Sequence, residues 1–92
     1  MATYQYLDAS TGHVTQDTML WLAMPPADLP LSIAAYDRGA FLSVPGDAES
    51  IDELACPEDL KAVIKTALDA GCAVVRLDAD ADVIATLPYY DW

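Results

Sequence analysis

The sequence predicts an α+β domain with elements in the order β-α-β-β-α-β, a mainly antiparallel sheet and two helices on one face. Three observations carry that expectation. Short apolar runs with two-residue alternation mark strands. Two segments with helical spacing of their apolar residues lie between them. Pro25-Pro26, Pro45-Gly46 and Gly71 punctuate the chain where elements should stop. The order is that of the ferredoxin-like split βαβ motif, the first topology it suggests, although order alone leaves strand pairing open.

Tyr4 to Ala9 reads as the first strand, with Tyr4 and Tyr6 on one face and Leu7 on the other. Ser10-Thr11-Gly12-His13 reads as a turn. Thr15 is a suitable N-cap, and Asp17 faces the positive end of the helix dipole. A short helix then runs from about Gln16 to Met24, until Pro25-Pro26 ends its hydrogen-bond ladder. Leu31 to Tyr36 and Ala40 to Val44 read as a hairpin closed by Asp37-Arg38-Gly39. Asp47 to Ala55 is acidic and weakly periodic, and reads as a loop. Pro57 to Ala70 is the most strongly encoded helix. Leu60, Val63, Ile64, Ala67 and Leu68 share one face, and Gly71 supplies the left-handed cap. Cys72 to Leu77 follows as an apolar strand.

Ninety-two residues make one domain. Hydrophobic residues are 54% of the chain, enough for one core with little left to line a deep substrate cavity. Fifteen acidic residues face four basic ones, a formal net charge of −11. Such a charge disfavours direct binding to nucleic acid or to an anionic membrane, and favours a basic partner surface. No apolar stretch approaches the ~20 residues that cross a bilayer. The N-terminal residues lack a secretory signal pattern, so a cytoplasmic location with both thiols reduced is expected. Cys56 and Cys72 match no zinc or CxxC spacing. Cys72 reads as a core residue, and Cys56 as a thiol at a helix start without a catalytic partner.

Asp78, Asp80 and Asp82 alternate with alanines, which would set three carboxylates on one face if the strand continues. An EF-hand register fails, because its glycine and glutamate positions hold Val83 and Tyr89. A solvated turn, a partner-facing patch and a magnesium-type carboxylate pair stay open. Asp47, Glu49, Asp52, Glu53, Glu58 and Asp59 form a second group, with no Lys or Arg between Pro45 and Leu60. This second group reads as a solvated loop and helix start or, taken with the Asp78 group, as an anionic face that imitates a nucleic-acid backbone. His13, the single histidine, lacks a nucleophile elbow or oxyanion loop and reads as structural. Tyr89, Tyr90 and Trp92 form an aromatic tail for docking on the domain or on a partner.

The sequence resembles an uncharacterised family of small bacterial proteins, a domain of unknown function met on plasmids and other mobile elements. Ser10-Thr11-Gly12-His13-Val14-Thr15 carries part of the likeness, with Gly12 where the family usually has Ala. Cys56-Pro57-Glu58-Asp59-Leu60, Ala70-Gly71-Cys72 and Leu87-Pro88-Tyr89-Tyr90-Asp91-Trp92 carry the rest. The change at Gly12 is expected to matter little. The resemblance implies no catalytic residues. It implies mobile-element cargo, a setting in which small acidic proteins blunt restriction or CRISPR defence.

The expectation is therefore a non-enzymatic acidic inhibitor, without cofactor or metal, that occupies a basic site on a protein or nucleoprotein complex. The alternative is an interaction module, homodimeric through its sheet or its aromatic tail. A small hydrolase or metal-dependent enzyme using His13 or the aspartates is the third reading.

Overall fold

The helix over Glu58–Asp69 (α3) follows its apolar periodicity. Leu60, Val63, Ile64 and Ala67 are fully buried. Pro57 sits at the N-cap, one position before the first turn, and Glu58 and Asp59 lie at the positive end of the dipole. The helix ends in a Schellman motif. Cys72 N–H donates to the Ala67 carbonyl at 2.9 Å, and Gly71 N–H to that of Leu68 at 3.0 Å. Gly71 takes the left-handed conformation this requires, with φ of +77°.

The computed structural model describes residues 3–90 and Trp92; Met1, Ala2 and Asp91 lie outside the described residues. The strands are β1 (Tyr6–Ser10), β2 (Ile33–Tyr36), β3 (Gly39–Ser43) and β4 (Val74–Asp78), in the sheet order β1-β4-β3-β2. β1 pairs with β4 in parallel; β4–β3 and β3–β2 are antiparallel. The class is α+β as predicted, with a mixed sheet. A ferredoxin-like arrangement would set β1 inside the sheet. Here β4 holds the interior place, which suits its apolar residues: Val75 and Leu77 are fully buried. β1, with Tyr6 and Asp8 exposed, takes the edge.

Helices α1 (Gln16–Ala23), α2 (Ala48–Asp52) and α3 contribute to one core with one face of the sheet. Leu22, Ile51, Leu60, Val63 and Ile64 meet Ala9, Ala40, Leu42, Val75 and Leu77 there. Truncating one of the large members to alanine costs about 2–5 kcal/mol. The segment read as a loop holds α2. Asp47 caps it, accepting from Ser50 N–H at 2.7 Å, and Ile51 is its one buried side chain. Thr15 caps α1 as expected, accepting from Thr18 N–H. Ser10–His13 is a 3-10 turn over Thr11–His13 whose cap is Ser10.

Candidate functional site

The acidic residues divide into those held within the chain and those left to solvent. All four basic side chains are engaged by carboxylates. Arg38 pairs with Asp80 at 2.6 Å, Lys61 with Glu58 at 3.4 Å, Arg76 with Asp8 at 2.8 Å, and Lys65 with Asp52. Lys61 is buried, and its Nζ also donates to the Asp52 carbonyl at 3.0 Å. It thus places a cation at the negative end of α2 and ties that helix to α3.

Two of the predicted site residues are internal fasteners. Asp59 accepts from Thr15 N–H at 2.8 Å and from the Thr18 hydroxyl at 2.8 and 2.9 Å, which joins α3 to the start of α1. Asp78 is 8% exposed. It accepts from the Tyr36 phenol at 2.6 Å and from Asp80 N–H at 2.8 Å. These donors hold its carboxyl below the usual range, the phenol contributing most.

β4 stops at Asp78, so the alternating aspartates do not share a strand face. Asp78 instead forms an Asx-turn with Asp80, and Asp82 lies exposed beyond it. Among the described residues, no three His, Cys, Asp or Glu side chains converge as metal ligands do. The two acidic groups also leave the sheet at different places. Val44 N–H donates to the Ala73 carbonyl, so the Asp47 segment departs beside the start of β4. Asp78 ends that strand, about 13 Å away at ~3.3 Å per residue. Asp47, Glu49 and Glu53 are exposed on and beside α2. Asp47 stays ionised into mild acid, because Ser50 donates to it.

The aromatic tail docks on the domain. His13, 1% exposed, is the anchor. Its Nε2 accepts from Ile84 N–H at 2.8 Å, so Nδ1 carries the proton and donates to the Pro88 carbonyl at 2.8 Å. Tyr90 N–H donates to the Gly12 carbonyl at 2.7 Å, and Trp92 Nε1–H to that of Val14 at 2.9 Å. The Tyr89 ring stands edge-on to His13 and lies over Gly12. A Cβ at Gly12 would come within 2.3 Å of that ring, so glycine here matters to the tail, contrary to the sequence expectation. Asp91 lies outside the described residues.

The docked tail walls a cleft of about 560 Å³. β1, β4 and β2 run in one direction, and Ser10 and Tyr36, at the ends of β1 and β2, line the cleft with Ala79, which follows β4. Met19 and Leu22 of α1 and the Arg38 turn complete its walls with Tyr89, Tyr90 and Trp92. The sequence marked the tail aromatics for docking on the domain or on a partner; it did not mark their anchor, because His13 reaches backbone groups more than 70 residues away. Cys56 is half-buried, and burial pushes its thiol up, away from a nucleophile's range.

No helix among the described residues is long and apolar enough to cross a membrane. No curated protein and no solved structure matches the chain. A family model does: the C-terminal domain of a family of unknown function, DUF5983, matches residues 6–92. That match spans both halves of the sheet, the His13 anchor and the aromatic tail, and the chain belongs to the DUF5983 family.

Proposed function

We propose that this protein is a non-catalytic binding protein whose target is a basic protein or nucleoprotein surface. One observation carries the reading. Every Lys and Arg is engaged by a carboxylate of the chain, which leaves the formal charge of −11 uncompensated. A basic groove that meets such a surface gains by releasing its own counterions, as it does with nucleic acid. Asp47, Glu49 and Glu53 are the contact residues we favour, since they are exposed and no cation among the described residues pairs with them. Asp59 and Asp78 are bound internally, so the proposed surface is narrower than the full acidic set. His13 and Cys56 support a non-catalytic role: both imidazole nitrogens hold backbone groups, and the thiol stays protonated.

Cargo of mobile elements, the setting the family resemblance implies, makes a restriction or CRISPR complex the target class we favour. The test is capture of such complexes from a bacterial lysate on immobilised protein, eluted with a salt gradient. The expected result is elution at moderate salt, shifted lower by Glu49→Lys with Glu53→Lys. Retention that ignores both salt and charge reversal would sink the reading.

A further inference from the structure

Among the described residues, no element covers the face of the sheet opposite the helices. The registers align its side chains in rows: Ala34, Phe41, Arg76 and Asp8 across the middle, with Val74 and Tyr6 at one end and Tyr36 at the other. Tyr6 and Phe41 are 54% and 41% exposed. Beside Phe41 lies a shallow groove of about 250 Å³, lined mainly by Ala34, Phe41, Ser43 and Val74 on this side of the sheet. We propose that this open face is a homodimer interface, in which Tyr6 of each copy seats over the Phe41–Val74 groove of the other.

Charge selects the occupant. The ionisable groups on this face cancel or are held. Arg76 donates to both oxygens of Asp8, at 2.8 and 2.9 Å, with its guanidinium 5.9 Å from the Tyr6 ring centre. Asp78 is nearly buried beneath the Tyr36 phenol. Two copies of a chain at −11 repel wherever uncompensated carboxylates meet, and here they bring none that is exposed. A basic partner is drawn to the carboxylate-rich surfaces instead. An aromatic sheet face also suits stacked nucleobases, but that mode needs a basic groove, and the single arginine here is already bidentate to a carboxylate. A projecting ring and a groove on one face are what a two-fold contact requires.

The face measures about 16 by 19 Å from strand rise and spacing. It is smaller than the ~800 Å² per partner of a standard interface, which places the contact in the weak, transient class. The interface does not depend on the basic-partner reading, and salt separates the two. Screening strengthens contact between like-charged copies and weakens contact with a basic target.

Sedimentation equilibrium of the full chain, from micromolar to millimolar at low and high salt, tests it. The expected result is a concentration-dependent dimer whose midpoint falls to lower concentration as salt rises. Ala34→Asp and Phe41→Ser, both at exposed positions, should each raise that midpoint about tenfold or more. Leu20→Asp, exposed on α1, should leave it unchanged. A monomer throughout, a dimer dispersed by salt, or a dimer lost with Trp92→Ala but kept in both sheet variants would overturn the proposal.

Discussion

The Tyr36 phenol crosses a whole strand to reach Asp78. It leaves β2, passes over Gly39 of β3 and donates to a carboxylate on β4 at 2.6 Å. Gly39 must be glycine because a Cβ there would overlap the Leu77 carbonyl oxygen of β4. The bond ties three strands together at the mouth of the cleft.

That bond has a signature at both ends of the pH scale. Burial, with help from the Asp78 carboxylate, pushes the Tyr36 phenol up to about 12. A raised pKa contributes stability below the ordinary value of 10.0, lost as pH climbs toward about 12. Asp78 is depressed, so its contribution is present above the usual carboxylate range and lost as pH falls through its folded value. Alkaline difference absorbance should show one of the five tyrosines titrating late. In Tyr36→Phe that late step should vanish and the acid-unfolding midpoint should move to higher pH. An unchanged alkaline profile would rule the bond out.

His13 should govern the tail. Removing its imidazole leaves Ile84 N–H and the Pro88 carbonyl without partners, at about 1–3 kcal/mol for each group that stays buried. For His13→Ala we expect lower thermal stability and faster hydrogen exchange at the Ile84 and Tyr90 amides. The α3 amides should exchange as before at temperatures where the variant is folded.

Gly12→Ala should displace the Tyr89 ring. Overpacking of this kind costs about 1 kcal/mol or more. Removing the ring removes the clash, so Gly12→Ala should cost much less in a Tyr89→Ala background. Denaturant melts of the four chains measure that coupling; additive effects would show that the ring does not lie on Gly12.

Asp59 and Glu49 should separate structure from surface. Asp59→Ala leaves Thr15 N–H and the Thr18 hydroxyl without their carboxylate, a loss of about 2 kcal/mol in urea melts. Glu49→Gln, at an exposed position, should stay within about 0.5 kcal/mol. Equal effects would mean that the Asp59 bonds do not join α1 to α3.

What the sequence reveals tracks how local the cause is. α3 was legible because its periodicity, first-turn acids and Gly71 cap all lie within its own residues. The β2–β3 hairpin was legible for the same reason. α2 was not, since one acidic turn with a single buried residue, Ile51, leaves almost no periodic signal. Its one clue was Asp47 three residues before Ser50. The interior place of β4 was hidden because its neighbour β1 lies 68 residues away. Acidity was plain as a total but not as geometry. Whether a carboxylate faces solvent depends on Tyr36, Thr18 or Arg38 arriving from elsewhere in the chain.

The parallel pairing of β1 with β4 also sets an order of events. Ala9 meets Leu77 only after nearly the whole chain is available, and no hairpin shortens that closure. The β2–β3 hairpin and α3 are local, so they are expected to form first, with β4 condensing on them and β1 arriving late. Mutations in β1, such as Ala9→Gly, should then speed unfolding and leave the folding rate nearly unchanged. On that order, the first strand of the sequence would set how long the fold lasts, and the middle of the chain how fast it forms.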